Sequence, residues 1–374
     1  FVRKGLVVFQ FAISMVLIVG TVVVFQQTEY LRTADVGFNK DALITILPPQ
    51  QNAAAMKTQF EQLPPVQNAT ITHIPLGWEH EHSGMYELRT REMDTPIKTY
   101  LLRTDHNFLD TYQIPLISGR QFTPQDISFS ASMSDARTIL INETAARQLG
   151  VKPGDFVNAI RGTSNSTFQV AGIFKDFHNS PLHNAINPLM LIPVLSENQC
   201  CITVRVKVQN LQSVLEDLKA TWKTFEPTRS FEYLFVDQMT EDFYLKEQRQ
   251  SHMFALSASL AIAIACLGLI GLIAYTAEVR TKEIGIRKIL GASEVSIVSL
   301  LTKEFLVLVA LASLLAWPIA YTAMNGWLQN FAYRIGLSPT YFIASTGVAL
   351  VITLITIAYQ ALKAARANPV EALR

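Results

Sequence analysis

Residues 254–275 have the sequence FALSASLAIAIACLGLIGLIAY, in which no side chain is charged. The uncharged window around it covers residues 253–277, and three further windows without Asp, Glu, Lys or Arg are 5–28, 305–333 and 335–362. An α-helix rises ~1.5 Å per residue, so about 20 apolar residues cross a hydrocarbon core of ~30 Å. All four windows are long enough, and the sequence therefore predicts four transmembrane helices.

Two other interpretations of these windows fit less well. Buried helices of soluble proteins are usually shorter and amphipathic. A secretory signal peptide has a shorter apolar stretch than residues 5–28, and a small-residue cleavage site would follow it. Because the chain begins at Phe1 without a Met, we also expect that the natural N-terminus lies upstream.

Lysines and arginines near the helix ends predict the orientation, because basic flanks are retained in the cytoplasm. They precede helix one, lie between helices two and three, and follow helix four: Arg3, Lys4, Arg280, Lys282, Arg287, Lys288, Lys363, Arg366 and Arg374. The short loop between helices three and four has only Arg334. Both termini and the loop after helix two are therefore predicted to be cytoplasmic, with residues 29–252 outside.

The composition argues against several other classes of protein. A formal net charge of +1 gives no concentrated basic surface, so no nucleic-acid partner is expected. No G-x-x-x-x-G-K-[ST] phosphate-binding loop occurs, so the chain is not expected to hydrolyse ATP. No local signature of a catalytic Ser/His/Asp or Cys/His set is present. We therefore expect no catalytic residue, no metal ion and no cofactor in this chain.

The outside region contains two similar β-α-β units. In the first, apolar strands at 42–47 and 69–74 flank a helix at 52–63 with Asn52 as its N-cap. In the second, an alternating strand at 202–208 precedes an amphipathic helix at 210–225 and a strand at 231–236. The pattern predicts one α+β subdomain split in sequence (about 36–74 and 196–236), interrupted by a strand-rich insert (about 75–195). A short helix at 142–149, closed by Gly150, lies in the insert.

Residues 237–252 are polar, lack Gly and Pro, and precede helix two directly. We interpret them as a helical stalk that could carry a displacement between the outside region and the membrane. A simple connector is the alternative.

Three side-chain groups are weaker candidates for a site. The run from Trp78 to His82 (WEHEH) lacks the H-E-x-x-H spacing of a zinc helix, and a solvated loop is the simpler interpretation. His178 is a single histidine beside a strand end. Cys200 and Cys201 are adjacent and Cys266 lies in helix two, so no structural disulfide is predicted, although a reactive vicinal pair stays an alternative.

The segment 278–293 (EVRTKEIGIRKILGAS) is short, charged, compatible with a helix, and lies between two membrane helices. Its basic residues could lie at lipid headgroups. Its length and its apolar residues also suit a helix that binds in a groove of a cytoplasmic partner. Gly285 permits close backbone approach, and Gly291 can end the helix.

At this segment the chain resembles the MacB/FtsX-like family of ABC transporter permeases. Residues 280–293 match the pattern R-x-x-E-I-G-I-R-[RK]-x-x-G-A-S, and residues 365–373 (ARANPVEAL) are similar to the ending A-[AR]-x-x-P-[VI]-E-A-L. Residues 142–150 (NETAARQLG) and 172–178 (GIFKDFH) also resemble family signatures. The topology of one helix, a large outside domain and three helices agrees, so the resemblance covers nearly the whole chain.

The resemblance implies a fold and a set of domains. The expected fold is an α+β membrane protein with four transmembrane helices and a two-subdomain α+β periplasmic domain between helices one and two. Helix one is then 1–28, the MacB-like periplasmic core domain 29–252, and the FtsX-like permease domain 253–374. Its helices are expected at about 253–277, 300–324 and 340–362, with a cytoplasmic coupling segment at 278–293.

The resemblance also implies a mechanism. A cytoplasmic ABC ATPase, which binds the ATP, would act on the coupling segment, and the membrane helices would pass the motion to the periplasmic domain. The implied ATPase-coupling residues are Arg280, Glu283, Ile284, Gly285, Ile286, Arg287, Lys288 and Gly291. The other expected partner is a second permease half or a second copy in a homodimer, and the start at Phe1 resembles the second half of a two-repeat permease. The expected location is a bacterial inner membrane.

Two alternatives stay open from the sequence. One is control of periplasmic hydrolases in the manner of FtsX, and the other is a membrane receptor, which would need a cytoplasmic output domain. The substrate in the envelope is not determined: lipoprotein, peptide and antibiotic all fit.

Overall fold

The computed structural model describes residues 2–47, 49, 52–76, 85–129, 136–162, 164–179, 184–195, 200–207, 210–242, 245–279 and 294–365. The chain divides into two compact units. The helical unit comprises Phe1–Arg32 and Leu245–Arg374, and the α+β unit comprises Thr33–Tyr244.

The helices and strands are numbered along the chain. The α-helices of the described residues are α1 (Val2–Thr33), α2 (Ala53–Glu61), α3 (Phe108–Tyr112), α4 (Glu143–Leu149), α5 (Leu211–Phe225), α6 (Val236–Asp242), α7 (Leu245–Val279), α8 (Glu294–Leu328) and α9 (Pro339–Ala365). The strands are β1 (Leu43–Ile46), β2 (Val66–Thr72), β3 (Met85–Arg89), β4 (Ile97–Arg103), β5 (Leu116–Gly119), β6 (Ser128–Phe129), β7 (Thr138–Asn142), β8 (Phe156–Arg161), β9 (Ser164–Phe174), β10 (Leu189–Ile192), β11 (Val194–Leu195), β12 (Cys201–Val206) and β13 (Tyr233–Phe235).

Within the described part of the chain, four helices are long and apolar enough to cross a membrane. Their apolar spans are Gly5–Thr33, Gln248–Tyr275, Phe305–Leu328 and Pro339–Tyr359. Together with the mixed α and β content of the other unit, they confirm the fold class predicted from the sequence. Pro318 lies inside α8, where it removes one backbone N–H from the helical hydrogen bonds.

A four-stranded sheet in the order β13-β1-β12-β2 joins the two sequence segments that the β-α-β patterns identified. Its strand pairs are antiparallel. Every residue of β1 and β12 is buried, as expected for central strands. Helix α5 adds Val214, Leu218 and Trp222 to the sheet's apolar cluster, and each such buried side chain contributes roughly 1.5–3 kcal/mol.

The insert forms a seven-stranded sheet in the order β5-β9-β7-β10-β4-β3-β8, and an additional pairing of β8 with β9 closes six of these strands into a ring. Apolar side chains fill the ring, and α4 packs against them through Ala145, Ala146 and Leu149. The side chain of Asn142 accepts a hydrogen bond from the Ala145 N–H and so caps α4. Gly150 ends this helix in the left-handed conformation (φ 67°).

Two local expectations differ from the structure. Asn52 has φ 61° and its side chain makes no capping hydrogen bond, because a residue in the left-handed region does not have the extended geometry of an N-cap. Of the predicted stalk at 237–252, residues 237–242 belong to α6 and residues 245–252 belong to α7. Val236 and Met239 of α6 are buried, and α6 packs on β1 and β13, so this piece belongs to the four-stranded sheet.

Candidate functional site

The predicted coupling residues (Arg280, Glu283, Ile284, Gly285, Ile286, Arg287, Lys288 and Gly291) lie outside the described residues. The structure does describe the two helices that flank them. Helix α7 ends at Val279 and α8 begins at Glu294, so residues 280–293 connect two candidate membrane spans.

An apolar cluster brings together the ends of four helices near this connection. It contains Val7, Phe11, Leu272, Phe305 and Ile357. These residues belong to the N-terminal half of α1, the C-terminal half of α7, the N-terminal half of α8 and the C-terminal half of α9. The connection therefore leaves the bundle at the end where α1 begins and α9 ends.

A second cluster lies at the opposite end of the bundle. It contains Val19, Val23, Met324, Leu328 and Phe342, with Ile335 packed against it. There the Gln27 side chain binds the loop between α8 and α9: its Nε2 donates to the Tyr333 carbonyl (2.8 Å) and its Oε1 accepts from the Ile335 N–H (2.9 Å). Gln27 is fully buried, so α1 and the loop are joined by directional bonds at this end.

Between these clusters, small and polar side chains connect the helices. The Trp317 Nε1 donates to Thr346 Oγ1 (3.1 Å), which joins α8 to α9. Gly268 of α7 faces Gln10 of α1, and a Cβ at Gly268 would clash with Gln10 Oε1. The charged residues of the four apolar spans are Glu29, Arg32 and Arg249, and all three lie near the ends of their spans. The span interiors therefore lack the buried charges that mark an ion path.

In the α+β unit, a buried ion pair connects the two sheets. The Lys57 Nζ of α2 lies 2.7 Å from Asp105 Oδ2, and the two side chains are only 8% and 4% exposed. Asp105 follows β4 of the seven-stranded sheet, and its Oδ1 accepts from Thr70 Oγ1 of β2 at 2.6 Å. The Asp105 carboxylate, at the end of a strand of the seven-stranded sheet, therefore binds Lys57 and Thr70 on the side of the four-stranded sheet. Removal of one partner of such a pair costs about 3–5 kcal/mol.

Backbone bonds extend this connection. The His73 N–H donates to the Arg103 carbonyl (3.1 Å), and the Arg103 N–H donates back to His73 Nδ1 (3.0 Å). Burial lowers the pKa of His73 to about 4. The imidazole is therefore neutral at pH 7, which leaves the Nδ1 lone pair free to accept.

Arg205 forms a third cross-link, from the centre of the four-stranded sheet. Its guanidinium donates to three carbonyl oxygens: Thr111 of α3 (2.7 Å), Asp41 (2.9 Å) and Asn39 (2.7 Å). The arginine is 5% exposed. Because an arginine can satisfy several acceptors at fixed angles, it sets the position of α3 on the sheet.

We call these three groups and the apolar cluster that they surround the sheet junction. The cluster takes side chains from both sheets and from α3, among them Leu43, Leu102, Tyr112, Leu140 and Phe174. Burial raises the pKa of the Tyr112 hydroxyl, which donates to Thr203 Oγ1 (3.1 Å). The junction therefore joins the two sheets by both packing and directional bonds.

The remaining candidates from the sequence are not part of the junction. The run from Trp78 to His82 lies outside the described residues, and the described residues contain no group of three His, Cys, Asp or Glu placed to hold a metal ion. Cys200 and Cys201 are buried and not disulfide-bonded, and burial raises the pKa of Cys201 to about 12. The His178 N–H donates to the Val36 carbonyl (2.7 Å), and burial lowers the pKa of His178.

Sequence reasoning missed Gln27, Asp105 and Arg205. Two of them had a signal: Arg205 is the one charged residue in the strand CITVRV, and Gln27 is a polar residue in an apolar window. A polar or charged side chain in such a place is expensive to bury unless it is paired. The signal identifies the residue but not its partner.

Two family models match the chain. The MacB-like periplasmic core domain matches residues 5–221, and the FtsX-like permease C-terminal domain matches residues 255–369. The first match covers more than half of the 374 residues.

Individual relatives agree with these matches. The chain is 21% identical to the ABC transporter permease YvrN of Bacillus subtilis, over 93% of this chain and 89% of that protein. It is 22% identical to the macrolide export ATP-binding/permease protein MacB of Nitrobacter winogradskyi, over 78% of this chain and 46% of that protein, so it spans about half the length of this relative.

Two solved structures are similar to the chain. The periplasmic region of MacB from Actinobacillus actinomycetemcomitans has a TM-score of 0.38 and 16% identity, and covers 55% of this chain and 94% of its own. The extracellular domain of the ABC-type transporter YknZ from Gram-positive bacteria has a TM-score of 0.33 and 15% identity, and covers 51% and 97%. By its two domain matches, the chain belongs to the family of ABC transporter permeases in which a MacB-like periplasmic core domain precedes an FtsX-like permease domain.

Proposed function

We propose that this permease transmits force from a cytoplasmic ABC ATPase to its α+β unit, which then acts on a substrate in the envelope. One observation carries the proposal. The connection at 280–293 leaves the helical bundle at one end, and at the other end α1 leads to Thr33, where the α+β unit begins. A push on the connection would therefore pass along the helices to the covalent attachment of the α+β unit.

The chemistry of the connection suits a protein partner. Ile284 and Ile286 would supply apolar contact, and Arg287 would supply charge complementarity to an acidic groove. Gly285 would allow close backbone approach. Glu283, Arg280, Lys288 and Gly291 complete the coupling residues that the resemblance implies.

The sheet junction supports transmission through the α+β unit. If the two sheets of the α+β unit could rotate on each other, that rotation would absorb the displacement. Because the sheets are cross-linked, the unit should move as one rigid body. The Lys57–Asp105 pair, the His73–Arg103 bonds and Arg205 all oppose a rotation of one sheet on the other, because hydrogen bonds weaken steeply with angle.

The orientation and the partners complete the proposal. The positive flanks favour a bacterial inner membrane with the connection and both chain ends on its cytoplasmic side. ATP is bound and hydrolysed by the partner ATPase, and this chain is not catalytic. The working unit includes a second permease half or a second copy of this chain.

The test is a pair of substitutions in the connection with a matched control. Arg287→Glu and Gly285→Trp should both reduce the stimulation of the ATPase by the permease in lipid nanodiscs. Arg287→Glu reverses an interface charge, which costs about 2–5 kcal/mol, or about 30-fold or more in binding. Gly285→Trp blocks the close backbone approach that glycine allows. Arg334→Glu makes the same charge change in the exposed loop at the other end and should have no effect. Full stimulation by both connection variants, with normal membrane insertion, would contradict the proposal.

A further inference from the structure

Gln27 has the geometry of a mechanical link within the bundle. Its amide bonds the Tyr333 carbonyl and the Ile335 N–H, so one side chain satisfies backbone groups on both sides of Arg334. This part of α1 is also packed on apolar neighbours, since Val23, Val24 and Leu31 are buried. The amide thus adds a directional contact to this apolar packing.

Apolar contacts alone would hold α1 less firmly. They are non-directional and allow one surface to slide along another with little change in buried area. A hydrogen bond depends on distance and angle. A displacement of the loop along α1 would stretch and bend both bonds at once, so the two bonds fix the position of α1 along the α8–α9 hairpin.

The position of the bonds matters as much as their direction. Helix α8 begins at Glu294, immediately after the connection, and the loop that Gln27 binds lies at its other end. From Gln27 the chain reaches Thr33 and the α+β unit within about two helical turns. Movement of the hairpin along its axis would thus reach α1 at Gln27, close to the attachment of the α+β unit.

We infer that Gln27 is a positioning residue for force transmission: it couples the α8–α9 hairpin to α1, and through α1 to the α+β unit. This inference rests on the proposed function and adds the residue through which the motion passes. The apolar contacts around Gln27 stabilise the bundle, and the amide makes the hairpin and α1 move together.

The chain offers a matched control for the test. Gln26 is the adjacent residue and is exposed, so Gln26→Met changes the same atoms at a position without this contact. Gln27→Met keeps the length of the side chain and removes both bonds. Gln27→Glu keeps the acceptor for the Ile335 N–H and removes the donor to the Tyr333 carbonyl.

The experiment uses hydrogen exchange on the full chain in lipid nanodiscs, and a spin-label distance on the same chain with its ATPase, without nucleotide and with ATP trapped by vanadate. In the chain alone, Gln27→Met should speed exchange of the Ile335 amide about tenfold, as expected for loss of one hydrogen bond. With the ATPase, trapping should shift the distance between labels at Lys219 of α5 and at Gly336 of the α8–α9 loop in the wild type and in Gln26→Met, less in Gln27→Glu, and not in Gln27→Met. The thermal unfolding midpoint of the α+β unit should be the same in all four proteins.

The outcomes separate this inference from the proposed function. No response to ATP in the wild type would refute force transmission itself. An equal response in the wild type and Gln27→Met, or an Ile335 amide that exchanges no faster in that variant, would refute the role of Gln27. If Gln27→Met does not fold, Gln27→Glu is compared with Gln26→Met, and equal responses of these two would refute it as well.

Discussion

The sheet junction predicts a large effect of one substitution, Asp105→Ala. The Asp105 carboxylate is 4% exposed and lies 2.7 Å from Lys57 Nζ. It also accepts from Thr70 Oγ1 (2.6 Å) and from the Asn107 N–H (3.1 Å). Alanine removes all three interactions and leaves the lysine with Glu61, whose Oε1 is 3.4 Å away and whose side chain is 32% exposed.

The expected loss of stability follows from the buried Lys57 charge that the substitution leaves without its partner. Breaking a buried ion pair by removing one partner costs about 3–5 kcal/mol. Asp105→Asn keeps an oxygen that can accept from Thr70, but it loses the charge and the oxygen that faces Lys57. It should therefore cost less than Asp105→Ala, about 1.5–3 kcal/mol for the lost charge-assisted contact. Adding Lys57→Met to Asp105→Asn should recover part of this loss, because no buried charge then stays unpaired.

Hydrogen exchange of the full chain in nanodiscs measures these losses locally. The His73 N–H donates to the Arg103 carbonyl across the junction, and its exchange rate reports how often the junction opens. Each ~1.4 kcal/mol is tenfold, so a loss of about 3–5 kcal/mol in Asp105→Ala should speed this exchange by about 10²–10⁴. A change of less than about twofold would mean that the ion pair does not hold the two sheets together, and our account of the junction would be wrong.

Two further predictions concern buried titratable groups. His73 has a pKa of about 4 when folded, below its ordinary 6.5, so its contribution to stability is complete above pH 6.5 and is lost as the pH falls towards 4. At pH 5 the free energy of unfolding should be lower by about 2 kcal/mol. The Arg103 amide should then exchange faster, after correction for the intrinsic exchange rate. An opening rate that does not depend on pH would contradict this prediction. Cys201, with a pKa of about 12, should react with iodoacetamide at about pH 8 only after denaturation, and mass spectrometry that finds rapid labelling of the folded protein would show that its thiol is accessible.

Local patterns predicted the elements well. The uncharged windows identified the four long helices because charge is excluded from a span for a simple energetic reason. The alternation in residues 202–208 identified β12 (Cys201–Val206), a central strand of its sheet. Asn142 and Gly150 identified both ends of α4, since helix caps depend on neighbouring residues alone.

Contacts between distant residues could not be predicted in this way. Gln27 and Tyr333 are 306 positions apart, and Arg205 is 166 positions from Asn39. One sequence shows that such a polar residue needs a partner but gives no information on which strand or loop supplies it. The prediction that Asn52 caps α2 was wrong for a related reason. Asparagine favours an N-cap, but the path of the chain into α2 puts the Asn52 backbone in the left-handed region.

The central claim is that ATP binding by the partner ATPase, which acts on the connection at 280–293, moves the α+β unit as one body. Spin labels at Arg91, exposed in the turn between β3 and β4 of the seven-stranded sheet, and at Lys219, exposed on helix α5 of the four-stranded sheet, measure the internal distance of that unit. Labels at Lys219 and Gly336, the latter in the exposed loop between α8 and α9, measure its movement relative to the bundle. On trapping ATP in the reconstituted complex, we predict an unchanged first distance and a shifted second one. An unchanged second distance, or a shift confined to the first, would contradict the account.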